Sequence, residues 1–296
     1  MSDLILSATA PEAGFSIVAG ITTQLVSETQ KRHLLSPTAT AALGRLITAS
    51  ALLATSLKGS ERVGLQIAGD GPLRGIAAEA WLLDQRTVGA RGNAKVPGAD
   101  LPLNAKGKFD VAGALGEGSL QVTKSYDIGQ PYVGVVPLFS GEIAEDVAAY
   151  LMNSEQIPSV VSLGVLANPN GVVAAGGIIA QVLPGADERA VALLEQRALA
   201  MPPLTQLIAG GADAEALMRA LAGESVLRAH RSTAVVFACK CTREKVEAAF
   251  IALGVDELRK MARERDETEA LCEFCKKLYV FTGDEVTGLA IRLEKA

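Results

Sequence analysis

Hydrophobic and polar positions follow three successive patterns along this chain. From residue 13 to about 180, β-branched runs bounded by turn residues predict a mixed set of strands and helices. Phe15 to Val26, Val63 to Ile67 and Ile76 to Leu82 are strand-like. Gly69-Asp-Gly-Pro-Leu73 is a turn, and Asn168-Pro-Asn-Gly171 joins Val160–Leu166 to Val172–Val182 as a hairpin. From Ser140 the apolar residues Ile143, Val147 and Leu151 recur every fourth position, which predicts a helix.

After Leu183-Pro-Gly185 the pattern becomes helical. Asp187 to Leu199, Pro203 to Ile208 and Asp213 to Leu221 are short helices separated by Gly and Pro. Helices of this length are marginal alone and need a surface to pack on. Ala222 to His230 has little periodicity and is expected to be a connector.

The third pattern starts near Ser232. Of the 65 residues from there onward 23 are charged, against 38 of the preceding 231. Ala234–Ala238 predicts a strand, Thr242 an N-cap for a helix running to Gly254, Asp256–Arg265 a second helix, and Leu278–Phe281 a final strand. The expected fold class is therefore α+β: a mixed core domain over 1–183, a helical linker arm over 184–231, and a small C-terminal domain over 232–296, which the cysteines below make a zinc-binding one.

The longest apolar window, Pro37 to Leu57, could be a membrane span or a buried helix. Arg45 and several Ser and Thr lie within it, Ser36-Pro37 opens it as a cap, and Gly59 closes it. A buried helix is expected, with no membrane association. The net charge of -5 and pI near 5.3 argue against nucleic acid as a partner. Met1-Ser-Asp-Leu-Ile-Leu-Ser lacks a basic stretch and a long apolar run, so a secretory signal is not expected and the cytoplasm is the expected compartment.

Cysteine usage then narrows the chemistry. All four cysteines fall within 37 residues, as Cys239-Lys-Cys241 and Cys272-Glu-Phe-Cys275. Two close pairs match a tetrahedral site of four thiolates, and zinc is the ion such a set suits best. A reducing cytoplasm favours metal over disulfides for such a cluster. Lys240, Arg243, Lys276 and Lys277 could offset the excess negative charge of four thiolates on one divalent ion. A segment this polar has a thin apolar inventory, so its fold is expected to depend on the metal.

Each cysteine also has a neighbour two or three residues away, which permits capture of an oxidised sulfur as a disulfide. A constitutive zinc-ribbon interaction module satisfies the same spacing. A thiol oxidoreductase would leave one pair unexplained. Gly69-Asp-Gly-Pro-Leu-Arg-Gly75 has its third Gly one position late for a dinucleotide loop, so a turn is expected. His33 and His230 are the chain's two histidines, and His230 is expected in the connector. Trp81 is expected in a core or domain interface, and no catalytic residues are apparent.

These residues together resemble the heat shock protein 33 family of redox-regulated holdase chaperones. Cys239-Lys-Cys241-Thr-Arg-Glu-Lys, Gly254-Val-Asp-Glu-Leu258 and Cys272-Glu-Phe-Cys275-Lys-Lys-Leu-Tyr279 carry the resemblance in the zinc-binding region. Ser36-Pro-Thr, Lys58-Gly, Gly69–Leu73 and Gly176–Gly185 carry it upstream. The resemblance implies an ATP-independent, non-enzymatic chaperone with one Zn2+ per reduced chain on Cys239, Cys241, Cys272 and Cys275. It further implies that oxidation forms Cys239–Cys241 and Cys272–Cys275 disulfides, releases zinc and unfolds the C-terminal domain and arm. The implied partners are unfolding client proteins, a second copy when oxidised, and ATP-driven chaperones downstream.

Overall fold

A computed structural model describes residues 2–168, 170–186 and 188–294. Pro169 of the expected hairpin turn and Asp187 of the expected helix start lie outside the described residues. The chain divides into two compact units, Met1–Ala238 and Cys239–Ala296.

The first unit runs β1 (Leu4–Ala10), β2 (Phe15–Ile21), α1 (Thr23–His33), α2 (Pro37–Ala54), β3 (Arg62–Gly69), β4 (Gly75–Asp84) and β5 (Thr87–Ala94). It continues with α3 (Val111–Leu115), β6 (Gly118–Ser125), β7 (Tyr132–Pro137), α4 (Ala144–Glu155), β8 (Ser159–Asn168) and β9 (Gly171–Val182). α5 (Glu188–Ala200), α6 (Leu204–Ala209), α7 (Ala214–Ala222) and β10 (Arg228–Phe237) complete it. Among the described residues its strands form one ten-stranded sheet in the order β7-β6-β3-β4-β5-β10-β1-β2-β9-β8.

β10 is the seam of this sheet. It pairs antiparallel with β1 and parallel with β5, joining two antiparallel blocks. The domain boundary expected at Ser232 therefore lies later, after Ala238. Thr233 and Val235 are buried in the sheet, and charge density alone did not reveal that. The connector expected over 222–230 is shorter for the same reason, and His230 lies in a strand.

α2 fills one face of the sheet. Ser36 caps it by accepting a hydrogen bond from the Ala39 N–H at 3.1 Å. Thr38, Thr40, Thr48 and Ser50 are nevertheless buried on this helix. Their cost is met locally: Thr40, Thr48 and Ser50 donate to the carbonyls of Ser36, Gly44 and Ile47 at 2.7–2.8 Å. The buried-helix expectation holds, with its end at Ala54 rather than Leu57. No described helix is long and apolar enough to cross a membrane.

The opposite face of β1, β2 and β9 has its own core. Ala8, Phe15, Ile17, Ala19, Ile178 and Ala180 pack there against Leu194 of α5, Leu204 of α6, and Leu217, Met218 and Leu221 of α7. Period-2 alternation sends Val18 and Ile179 to the α2 side instead. The arm expected over 184–231 is thus a layer docked on the sheet, within the first unit. Its short helices hold because the sheet supplies the surface they require.

Two other expectations shift. The strand expected over Phe15–Val26 stops at Ile21, and Thr23 begins α1, whose first amides Gln24 and Leu25 donate to the Asp3 carboxylate at 3.0 and 2.7 Å. Burial raises the Asp3 pKa, against the pull of these hydrogen bonds. The helix expected from Ser140 starts at Ala144. Its start is fixed by Asp146, which is fully buried and accepts from the N–H groups of Phe139, Ser140, Gly141 and Ile143 at 2.7–3.3 Å. These bonds hold Ile143 at φ 65°, a costly conformation for a β-branched residue. Asp146→Ala is expected to destabilise the first unit by about 3 kcal/mol or more, measured by urea unfolding, because several buried donors lose their acceptor.

The second unit runs α8 (Arg243–Ile251), α9 (Val255–Glu264), β11 (Glu267–Leu271), β12 (Leu278–Thr282) and α10 (Gly283–Glu294). β11 and β12 form an antiparallel hairpin. Its buried core is Leu258, Tyr279, Phe281, Val286, Leu289 and Ala290. Leu253 and Leu271 are about half exposed, and Val235 belongs to the first unit.

Candidate metal centre

Cys239 and Cys241 lie in the extended link between β10 and α8. Residues two apart in extended chain project to the same side, so one short link presents both sulfurs together. Thr242 ends the link as the cap of α8, accepting from the Lys245 N–H at 3.3 Å. The Lys245 ammonium reaches back to the Lys240 carbonyl at 2.7 Å and holds the link against the helix.

Cys272 and Cys275 occupy the turn of the β11–β12 hairpin. The Cys272 N–H donates to the Lys277 carbonyl at 3.0 Å, and the Lys276 N–H donates to the Cys272 carbonyl at 2.9 Å. Lys276 takes the left-handed conformation, φ 57°, that closes this knuckle. Both sulfurs are thereby turned to one side of the hairpin.

The structure brings all four predicted residues together. Their sulfurs lie within 4.8 Å of one another. Cys239 and Cys272 are 3.8 Å apart, and Cys241 and Cys275 are 3.3 Å apart. None is in a disulfide, Cys275 is buried and the others are half-buried. A tetrahedral ion with metal–sulfur bonds of about 2.3 Å requires sulfurs about 3.8 Å apart. The cluster therefore fits a metal ion in size and in donor chemistry.

The thiols' acidities are consistent with a site made for a cation. Burial works against ionising Cys241, but hydrogen bonds from Tyr279 and the other sulfurs bring it down to about 7. Burial first, and then the neighbouring sulfurs, push Cys275 up to about 12. Without a cation one sulfur carries negative charge and disfavours ionisation of its neighbours. A divalent ion removes that penalty.

Tyr279 touches the cluster through a contact that the sequence did not reveal. Its hydroxyl donates to the Cys241 sulfur at 3.2 Å, and this bond, followed by burial, raises the Tyr279 pKa. The available signal was positional: a buried Tyr four residues after a ligand cysteine needs a partner for its polar tip. Three of the cations expected to balance the thiolates also make contacts of their own. Arg243 stacks on Phe281 at 4.0 Å and donates to the Val280 carbonyl and to Glu285. Lys276 pairs with Glu273, and the Lys277 ammonium lies 4.9 Å from the centre of the Tyr279 ring. These side chains brace the hairpin.

The remaining sequence candidates are structural. Gly69–Leu73 links antiparallel β3 and β4, as expected for a turn. Asp70 in that turn accepts from the Glu117 N–H at 2.8 Å. Trp81 is buried in the first unit with the Arg91 guanidinium 5.5 Å from its ring centre. His33 is buried at the end of α1, and His230 is exposed and no member of the sulfur cluster.

The family model described as Hsp33 protein matches residues 3–282. A 33 kDa chaperonin of Acetivibrio thermocellus is 41% identical over 296 residues, covering 99% of each chain. One from Acaryochloris marina is 44% identical over 293 residues, covering 98% of this chain and 97% of its own. The crystal structure of the 33 kDa chaperonin (heat shock protein 33 homolog) from Thermotoga maritima superimposes with a TM-score of 0.91 at 34% identity, covering 100% of both chains. These relatives are named as chaperonins, not as enzymes, in keeping with the expectation that the chain is no enzyme.

Proposed function

The chain belongs to the Hsp33 family, and we propose that it is a redox-regulated, ATP-independent holdase whose four cysteines bind one zinc ion when reduced. The observation that carries this reading is a cluster of four sulfurs, drawn from two separate segments, in a unit with only six residues in its buried core among those described. Bound zinc would supply a cross-link between the two segments and keep all four sulfurs as thiolates at neutral pH.

The chemistry of switching resides in the cysteines. With peroxide as oxidant, a thiolate attacks one peroxide oxygen, the O–O bond breaks, and a sulfenic acid and hydroxide form. A second thiolate attacks the sulfenic sulfur, the S–O bond breaks, and hydroxide leaves as the disulfide forms. Two electrons pass from two sulfurs to one peroxide, and a second peroxide converts the second pair. We infer the pairs Cys239–Cys241 and Cys272–Cys275. Every sulfur is within reach of every other in the folded cluster, but only these pairs stay close once the unit opens, because loop closure favours short separations.

Four sulfurs consumed in this way leave no thiolate to hold the two segments together. The second unit then has only its small core to keep it folded, below what such a domain usually needs. The arm, α5 to α7, is joined to it in sequence through β10. Release of the arm would uncover Phe15, Ile17, Ala19, Ile178 and Ala180, an apolar surface suited to unfolding clients. The oxidised chain would pair with a second copy and pass clients to ATP-driven chaperones when thiols are reduced again. The cytoplasm, where thiols rest in reduced form, suits such a switch.

Treating zinc-loaded protein with peroxide at elevated temperature tests this directly. The expected result is release of about one zinc per chain to a colour indicator, with client aggregation suppressed only after treatment. Mass spectrometry should find the two near-neighbour disulfides. Retained zinc with equal suppression before and after would make the chain a constitutive zinc-ribbon interaction module instead.

A further inference from the structure

We propose that Tyr279 is a positioning residue of the thiolate centre, whose hydroxyl holds one lone pair of Cys241 and makes that sulfur a weaker nucleophile. Its consequence for switching rests on the redox function proposed above; the contact itself does not. The Tyr279 hydroxyl is 3.2 Å from the Cys241 sulfur. A phenol beside a thiolate can only be the donor in that bond.

The ring is held firmly enough for this role. Tyr279 is 5% exposed, its backbone is registered opposite Ala270 in the β11–β12 hairpin, and the Lys277 ammonium lies over its face. The bond also crosses between segments. Tyr279 follows the second cysteine pair in sequence, whereas Cys241 belongs to the first. It therefore ties the two ligand pairs together independently of a metal.

The chemical effect follows from where the lone pair goes. Attack on peroxide or on an alkylating carbon uses a sulfur lone pair, and a hydrogen bond to that pair must weaken as the new bond forms. Partners that hydrogen-bond to metal ligands tune a site by about 10- to 100-fold in affinity or activity. Cys275 receives a backbone N–H from Lys277, which no change of side chain short of proline removes. Tyr279 is thus a point at which a side chain can tune the reactivity of one sulfur separately from the rest.

The test uses reduced, zinc-loaded full-length protein treated with limiting iodoacetamide, with each cysteine followed by mass spectrometry. Tyr279→Phe keeps the ring and, for the net worth of one hydrogen bond, should speed alkylation of Cys241 about 2- to 10-fold relative to Cys239 and Cys272. An unchanged Cys241, or an equal rise at all four sulfurs, overturns the proposal; the latter would mean general loosening. Should Tyr279→Phe fail to load zinc, wild-type protein carrying 3-fluorotyrosine decides the matter. Its more acidic phenol is a stronger donor and should slow Cys241, and an unchanged or faster Cys241 overturns the proposal. Peroxide treatment of the same samples separates the two readings. Wild-type protein that keeps its zinc under peroxide defeats the switch but not the contact, whereas normal switching with unaltered Cys241 alkylation defeats the Tyr279 role alone.

Discussion

Cys272→Ser is expected to yield a reduced chain whose second unit is largely unfolded at 37 °C and which suppresses client aggregation partially without any oxidant. Structural zinc contributes roughly 10–16 kcal/mol of apparent binding free energy through four ligands, so one thiolate is worth about 3 kcal/mol, or about 100-fold in affinity. The second unit has little reserve to absorb that loss. Its buried core is Leu258, Tyr279, Phe281, Val286, Leu289 and Ala290, and a core this small supplies at most about 3–5 kcal/mol. Limited proteolysis should therefore cut within 239–294 and spare the sheet. A Cys272→Ser chain that resists protease like wild type and stays inactive would contradict the metal-gated account.

The second large effect concerns the arm. Leu217→Asp is expected to make reduced, zinc-loaded protein suppress aggregation nearly as well as oxidised wild type. Leu217 is fully buried against the sheet side that carries Phe15 and Ile17. A carboxylate there has no partner, and its burial costs several kcal/mol, about 3 or more. α7 has nine residues and α6 has six, so neither stays helical without the sheet. The α2 side of the sheet is a separate, larger core, which should hold the first unit together as the arm detaches. Leu199→Asp is the control, because Leu199 is 89% exposed and should change nothing. Light scattering of a heat-unfolded client measures both. Inactivity of a folded Leu217→Asp chain would show that the surface beneath the arm is not where clients bind.

What the sequence disclosed and what it hid have physical causes. The cysteine pairs were legible because metal ligation imposes a short, local spacing, and the structure brings those four sulfurs together. α2 was legible because Ser36-Pro37 and a long apolar run are local signals. α1 was not: its start depends on Asp3, some twenty residues upstream, taking the amides of Gln24 and Leu25. Thr22 and Thr23 resemble a strand until that carboxylate is in place. β10 was half seen, as Ala234–Ala238, because its Arg228-Ala-His-Arg start has no apolar alternation and draws its order from Ser7 and Thr9 of β1, far away in sequence. α10 could have been found. Thr282 and Glu285 exchange hydrogen bonds at 2.8 and 3.2 Å, a reciprocal cap whose Thr-x-x-Glu signature stands plainly in the sequence.

Tyr279 illustrates a different limit. It was legible as a member of the final strand, and the structure places it in β12. Its bond to Cys241 depends on folding the hairpin back onto the first cysteine pair, which no local pattern encodes.

Amide hydrogen exchange on the reduced chain, with zinc and after chelation, tests the central claim most directly. Removing zinc should raise exchange in β12 and α10 to nearly that of an unfolded chain, while the amides of α2 and of β3 to β5 keep their protection. Equal protection of β12 and α10 in the two states would contradict it, because the second unit would then hold its fold without the ion.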